Sequence, residues 1–496
     1  MPDYKRLESQ ESDVEGGRAN GQGQGQATAQ DTQERQGPAE NQQAAQMVTV
    51  SLLMLLFLGS SYFQPRPRLH QYRGPGGHGL RDKFDCNIQL VESIPIGLTY
   101  PEGSPKFLST YEAWQQLLDS AKTSLDIASF YWTLRAEDTP GVVDNSTQPG
   151  EDIFARLLAN GNGGSLSPRI KIRIAQSEPS SVSPDSNTKL LASAGAAEVV
   201  TLSFPKYFGS GVLHTKLWVV DEEHFYLGSA NMDWRALTQV KEMGVLVQNC
   251  RPLAIDVAKI FEEYWYLGNS ESSKIPDWDY SKYATYYNLK NPMSLNVNKN
   301  ITMEGFLSSA PPPLSASGRT DDLDAILSTI NSAITYVNIA VMDYYPLIIY
   351  EKNHHYWPLI DDALRRAAVE RGVAVKLLIS WWKHSNPSED KYLKSLQDLA
   401  SKKDNIDIQI RRFTVPADQS QEKIPFGRVN HNKYMVTDRV AYIGTSNWSG
   451  DYFTDTAGIG LTLRETHETE STNTLRSDLR NVFERDWNSK YASPLQ

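Results

Sequence analysis

The chain has 496 residues, 40% of them hydrophobic and 22% charged, which is more than one domain of about 100–200 residues needs and enough for a sizeable core. Forty-nine Lys plus Arg against 59 Asp plus Glu leave a net charge of −10, which excludes a generally basic coat for duplex nucleic acid but not a local cationic pocket. Two cysteines, Cys86 and Cys250, exclude a Cys-rich zinc framework and a disulfide-dense scaffold.

Residues 1–46 hold ten Gln and, apart from Tyr4, no aromatic residue, so they cannot bury enough apolar surface to offset ordering entropy and are expected to be a disordered tail. Within them Tyr4-Lys5-Arg6-Leu7 fits a loose tyrosine-based sorting signal. Residues 47–63 are an uncharged, mostly apolar run of 17, the short end for a spanning helix, and are read as a single transmembrane signal anchor. A cleaved signal peptide would not carry 46 polar residues before its apolar stretch. A Pro-Arg-Gly stalk follows over 64–83. Charge bias leaves the topology undecided. Arg66, Arg68 and Arg73 mildly favour a cytosolic body, whereas the sequons at Asn145 and Asn300 favour a lumenal one.

From residue 84 one pattern occurs twice, about 215 residues apart. Ser109 to Glu112 offers a capping box that opens an amphipathic helix with Trp114, Leu117, Leu118 and Ala121 on one face. The second copy opens at Thr320, a candidate cap, with Leu323, Ile326, Leu327, Ile330 and Ile334. Short β-branched runs follow at 125–132 and 170–176 in the first copy, and at 336–345 and 373–380 in the second. Helices alternating with such runs indicate an α/β fold. The expected layout is two tandem α/β sandwich lobes, 84–270 and 311–496, related by a pseudo-twofold and joined by a linker at 271–310, with the active site at their interface.

The first copy then reads HTKLWVVD, placing His214, Lys216 and Asp221. The second reads HNKYMVTD, placing His431, Lys433 and Asp438 at the same spacing. Each is followed by a Gly, a hydroxyl and an Asn: Gly228, Ser229 and Asn231, then Gly444, Thr445 and Asn447. In an extended strand residues i and i+2 share a face, so each His and its Lys would aim at one site. Displacement at a phosphodiester needs a nucleophile and a proton donor for the leaving oxygen, and two histidines from opposite copies can supply both. Lys216, Lys433, Asn231 and Asn447 would neutralise and hydrogen-bond the non-bridging oxygens. No other cluster has metal-ligand spacing, so no metal and no cofactor is expected. A nucleophilic imidazole needs its other nitrogen held by a partner, and Glu242 and Asp455, each just beyond one of the two hairpins, are the candidates. Asp221 and Asp438 are expected to brace the hairpins rather than to touch phosphorus.

On this duplicated motif the chain resembles the phospholipase D superfamily. The segments VESIP at 91–95, LDIASFYWTL at 125–134, SSAPPPLSASGRT at 308–320 and YIGTSNWSG make it similar specifically to phospholipase D types three and four. The resemblance covers nearly everything from residue 84 onward. It implies a type II single-pass glycoprotein of the endolysosomal membrane whose lumenal body is a 5′–3′ exonuclease on single-stranded DNA and RNA, with His214 as nucleophile and His431 as general acid. It also implies a second activity, phosphatidyl transfer from a lysophospholipid substrate to make bis(monoacylglycero)phosphate. A catalytically silent membrane adaptor is a third reading, against which the intact motifs speak. By the same resemblance Cys86 and Cys250 pair. On their sequons Asn145 and Asn300 are the glycosylation sites, and Asn447, which begins a third sequon, carries no glycan if it faces the site. Mammalian relatives carry more cysteines, and some have Glu where this chain has Asp438. A homodimer is left open.

The motif cuts any phosphodiester and does not choose a substrate. Aromatics beside the catalytic strands are candidates for stacking a base, worth about 1–3 kcal/mol each: Phe130, Tyr131, Trp132, Trp234, Tyr344, Tyr345, Trp381, Trp382 and Trp448.

Overall fold

In the computed structural model, which describes residues 83–496 apart from 143–144, 165–167, 181–184, 300, 352 and 467–473, the two copies of the pattern fold into one strand order used twice. The expected tail, sorting signal, anchor and most of the stalk, together with Asn300, lie outside the described residues. Among the described residues no helix is long and apolar enough to cross a membrane.

The first copy supplies β1 (Phe84–Ser93), β2 (Ser124–Ser129), β3 (Lys171–Ser177), β4 (Glu198–Leu202), β5 (Leu217–Val220), β6 (His224–Gly228) and β7 (Glu242–Gln248). They lie in the order β4-β3-β2-β5-β6-β7-β1, with β2, β3 and β4 parallel to one another and the remaining pairs antiparallel. Next come β8 (Met293–Val297), β9 (Ile301–Ala310), β10 (Tyr336–Val341), β11 (Ala374–Ser380), β12 (Ile408–Phe413), β13 (Lys433–Thr437), β14 (Val440–Gly444) and β15 (Gly458–Glu465). The second copy repeats the first as β12-β11-β10-β13-β14-β15-β9, with the same directions. β8 pairs in parallel with β1 and antiparallel with β9, so the lobes share a large mixed sheet. The segment expected as a linker therefore contributes two strands: its Asn- and Ser-rich composition hid the alternation of Met293, Leu295 and Val297, all buried.

Two cores, one on each face, explain why the motif strands are so apolar. Leu217 and Val219 face a core shared by both copies, whereas Trp218 and Val220 face the first copy's own core. In the second copy Tyr434 and Val436 face the shared core and Met435 the local one. With both faces covered, the motif strands β5 and β13 keep no exposed side. The helices Arg251–Asn269 and Leu475–Trp487, which close the two copies, also pack into the shared core. Trp114 stacks on Trp218 at 5.0 Å between centroids, anchoring the first amphipathic helix.

That helix, Thr110–Ser120, starts with the expected capping box, Ser109 and Glu112 each accepting from the other's backbone N–H. Its counterpart, Asp322–Ser332, starts after Asp321 rather than Thr320 and ends before Ile334, which is exposed and not on its buried face. The Thr320 hydroxyl instead accepts from Leu289 N–H, tying the inter-lobe segment to the second lobe. Cys86 and Cys250 form a disulfide with Cα atoms 4.6 Å apart, linking β1 to the start of the helix after β7.

Candidate active site

His214 lies just before β5 and His431 just before β13, and each backbone is tied to the opposite lobe. His214 N–H donates to Ala457 O at 3.1 Å, and His431 N–H donates to Lys241 O at 2.8 Å. Ala457 and Lys241 immediately precede β15 and β7, so the tie is reciprocal and carries the pseudo-twofold. It brings both rings to one cavity of about 90 Å³, lined also by Phe130, Asn231, Glu242 and Asn447. A larger open cavity of about 840 Å³ beside Tyr100, Arg485 and Tyr491 holds none of the motif residues.

The surroundings of the two rings differ. His214 Nδ1 donates to the Thr445 carbonyl oxygen at 2.8 Å. Because a carbonyl only accepts, this contact puts the hydrogen on Nδ1 and the lone pair on Nε2. The ring is held between Tyr452, edge-on at 5.1 Å, and Phe130 at 5.4 Å. Burial pushes its pKa well below the ordinary value, helped by the positive charges of Lys216, Lys433 and His431. His431 Nδ1 instead meets both oxygens of the Glu242 carboxylate, at 2.9 and 3.0 Å. Burial lowers this imidazole too, with Glu242 opposing the shift and Lys433 adding to it. Glu242 is itself held by the Ser229 hydroxyl.

Each lysine ammonium folds back onto the carbonyl of its own motif histidine, Lys216 to His214 O and Lys433 to His431 O. Both are almost wholly buried. Their effect on His214 shows that their positive field reaches the cavity. Asp221 accepts from the backbone N–H groups of Lys122, Thr123 and Ser124, and Asp438 accepts from those of Ile334 and Thr335. Each aspartate thus pins the turn after its motif strand to the loop before the central strand of its lobe, away from the cavity.

Three placements differ from expectation. Glu242 follows the first motif but serves the histidine of the second, because β7 leads across the lobe interface. Asp455 bonds Ser210 and Thr456, and the imidazole it was a candidate to hold has Glu242 instead. Asn447 lines the cavity, but its amide donates to Asp343 Oδ2 and to Tyr452 OH, both at 3.1 Å, so its two N–H bonds are directed away from a phosphate. Its Oδ1 and that of Asn231 are buried without a hydrogen-bond partner among the described residues. Of the sequons, Asn145 is exposed and Asn447 is 1% exposed.

Of the aromatic candidates, Trp132, Trp234, Tyr344 and Trp448 are fully buried core residues. Phe130, Tyr131 and Trp382 line the cavity, joined by Phe426. Phe426, Tyr452, Asp343 and the Thr445 carbonyl were not singled out from the sequence. For Thr445 a signal existed, since a hydroxyl residue follows the glycine in both copies, but its working atom is on the backbone. Among the described residues no group of three or more His, Cys, Asp or Glu is placed to hold a metal ion.

The sequence pattern of the family described as "PLD3/4, PLD-like domain" matches residues 102–418. The chain is 50% identical over 411 residues to the 5'-3' exonuclease PLD3 of Bos taurus, covering 83% of this chain and 81% of that one. It is 49% identical to the Homo sapiens protein of the same name over 411 residues, with the same coverage. To the 5'-3' exonuclease PLD4 of Mus musculus it is 38% identical over 459 residues, covering 90% and 88%. Among solved structures, phosphatidylserine synthase from Haemophilus influenzae Rd KW20 superposes with a TM-score of 0.52 at 12% identity, over 82% of this chain and 87% of that one, a likeness of fold alone.

Proposed function

We infer the reaction from one premise: this chain belongs to the phospholipase D-like family described as PLD3/4. It is an enzyme that cleaves phosphodiesters through a covalent phosphohistidine, releasing nucleotides one at a time from the 5′ end of single-stranded DNA or RNA. The observation that carries this reading is the unequal pair of Nδ1 partners, a neutral carbonyl at His214 and a carboxylate at His431.

His214, neutral and with its Nδ1 hydrogen engaged, presents the Nε2 lone pair to phosphorus. His431, beside Glu242, is the ring better able to carry a second proton, and an anionic phosphodiester entering the cavity favours that charged form further. In the first step the His214 Nε2–P bond forms and the P–O bond to the 5′ oxygen of the next nucleotide breaks. That oxygen takes the proton from His431 Nε2, which leaves His431 neutral. In the second step water attacks phosphorus from the vacated side, His431 takes its proton, and the Nε2–P bond breaks. The product is a nucleoside 3′-phosphate, and both rings regain their starting protonation. The field of Lys216 and Lys433 stabilises negative charge as it develops on the non-bridging oxygens. Asn231 supplies an adaptable amide, and Asn447 would donate only after giving up Asp343 or Tyr452.

The setting proposed is the endolysosomal lumen, with residues 47–63 as the anchor. The disulfide and the exposed sequon at Asn145 fit an oxidising, glycosylating route. The test is acid quenching of purified protein during turnover of a 5′-hydroxyl oligonucleotide, followed by mapping of the phosphoryl adduct. An adduct on His214 with release of nucleoside 3′-phosphates is expected. An adduct on His431, or phospholipid headgroup exchange without nucleotide release, would replace this reading.

A further inference from the structure

Beyond the reacting atoms, the cavity has a wall of aromatic rings fixed in an unusual way. Trp382 and Phe426, both half-buried, line it from the second lobe, and His384 connects them. Trp382 meets His384 edge-on at 4.8 Å, and His384 lies stacked against Phe426 at 5.1 Å with 28° between planes. The neighbouring Trp381 is differently placed, covered by the Arg412 guanidinium at 4.9 Å.

Phe426 has φ of +55° and Arg428 of +57°, in the left-handed region that a phenylalanine does not adopt unless its surroundings hold it there. What holds it is on the first lobe. Arg235 donates to Pro425 O, Arg428 donates to Ile96 O at 3.0 Å and to Gln239 Oε1 at 3.1 Å, and Arg428 N–H donates to Gln239 O at 3.1 Å. The loop carrying Phe426 is therefore bolted across the lobe interface, on the segment that leads through Lys241 to Glu242. A ring fixed relative to Glu242 is fixed relative to His431.

We propose that Trp382 and Phe426, joined through His384, form a stacking platform for the nucleobase next to the scissile phosphate. Base stacking suits the chemistry on the page: it grips any base without reading its sequence, it needs no cationic groove in a chain of net charge −10, and it acts on a base only when the strand is single. The platform's aromatic rings, set at a steep angle to each other and with Phe426 held from the first lobe, also distinguish it from an alkyl-chain pocket, which aliphatic side chains would serve equally well. This inference rests on the nuclease reading above.

The test compares kcat/KM on a 5′-hydroxyl single-stranded oligonucleotide with that on the same oligonucleotide made abasic at its first or its second nucleotide. The wild-type protein is expected to lose on the order of 10-fold at one of those positions. In Trp382→Ala and Phe426→Ala the intact-to-abasic ratio is expected to collapse towards one, in Trp382→Leu to stay low, and in Trp382→Phe to recover. A wild-type protein that releases nucleotides but is indifferent to both abasic positions overturns the platform whatever the variants do. So does a Trp382→Ala variant that keeps the wild-type ratio. Failure to release nucleotides from any oligonucleotide would instead overturn the nuclease reading.

Discussion

Glu242 and Gly458 occupy the same place in the two lobes. Gly228 pairs with Gly244 in the first lobe and Gly444 pairs with Gly460 in the second, so these two residues stand two positions before equivalent glycines, on equivalent strands. Ser229 and Thr445 make the equivalent contacts, each to the residue after this position, Met243 or Ile459. The duplication is broken here. Glu242 reaches across to His431, whereas Gly458 gives His214 no carboxylate and leaves it the Thr445 carbonyl. A two-step displacement needs one ring that is a base towards phosphorus and one that is an acid towards oxygen, and this single difference makes them unequal.

Replacing Glu242 by Gln separates charge from shape. The amide can still accept from His431 Nδ1, so the ring stays oriented, but the charge that opposes its lowered pKa is gone. The expected outcome is a loss of kcat/KM of roughly 100-fold, the scale of general acid catalysis. The loss should deepen as pH rises, because the remaining proton on His431 is shed at lower pH. A pH–rate profile of the variant beside wild type checks this, and a uniform loss at every pH would show that the carboxylate only positions the ring.

The wild-type profile of kcat/KM should itself be a bell lying below pH 6.5. In the proposed mechanism His431 works protonated and His214 neutral. Burial lowers both from their ordinary value, His214 further because the charges acting on it, those of Lys216, Lys433 and His431, are positive, whereas Glu242 opposes the shift at His431. Activity therefore rises as pH falls through the titration of His431 and falls again as His214 takes a proton. The two limbs belong to the pair rather than to either ring alone. Measurement with and without a chelator is informative in the same experiment: with lysines supplying the positive field, the profile should not change on chelation.

The sequence carried the repeat, the capping box at Ser109 and the two His-x-Lys motifs because each is a local pattern whose physics does not depend on the partner lobe. It did not carry the crossing of Glu242 to His431, which depends on where β7 leads after the two sheets join. For the same reason Asp455, at a similar offset from its own motif, was an equally good candidate and meets Ser210 instead. Asn447 illustrates a further limit: its residue type suits a phosphate, but its donors are directed by Asp343 and Tyr452, contacts of the folded state.

Asp322 is expected to cost stability at neutral pH. It is wholly buried, accepting from the Ser308 and Tyr442 hydroxyls, and burial raises its pKa to about 6. A carboxyl whose folded pKa exceeds its unfolded value is penalised above the folded value, and the penalty is relieved as pH falls through about 6 towards 4. Asp322→Asn keeps both acceptor contacts without the charge. Its melting temperature should exceed that of wild type at pH 7.5, by the equivalent of about 3 kcal/mol, and the gap should narrow to about half near pH 5 and close towards pH 4. A gap of constant size would mean that packing rather than charge is responsible.

Lys241 joins the site to a buried ionic network. Its Nζ lies 2.9 Å from Asp486 Oδ2, in ion-pair range without hydrogen-bond alignment, while Arg485 grips Glu92 at 2.7 and 2.8 Å. Both ends of the Lys241–Asp486 pair are fully buried. Removing one partner leaves an uncompensated interior charge, so Lys241→Met should destabilise by about 3 kcal/mol, read by calorimetry. Adding Asp486→Asn to it should return part of that loss, and a double variant less stable than the single one would show that Asp486 serves Arg485 and Tyr100 first.

Gly458→Ala tests the broken symmetry from its other side. A Cβ at this position would lie 2.1 Å from Ser446 Oγ and 3.3 Å from Thr445 Oγ1, so Ser446 must turn its hydroxyl aside or the Thr445–Ser446 backbone must shift. That backbone carries the carbonyl that holds the hydrogen on His214 Nδ1. The strain of overpacking is about 1–3 kcal/mol, and part of it should appear as lost activity because the acceptor moves away from the ring. The variant is expected to remain folded, to lose on the order of 10-fold or more in kcat, and to accumulate less of the His214 adduct on acid quenching. The alternative outcome is as sharp. If the melting temperature falls while kcat and adduct level stay at wild-type values, the strain is taken up at the Ser446 hydroxyl and the Thr445 carbonyl has kept its hold on His214.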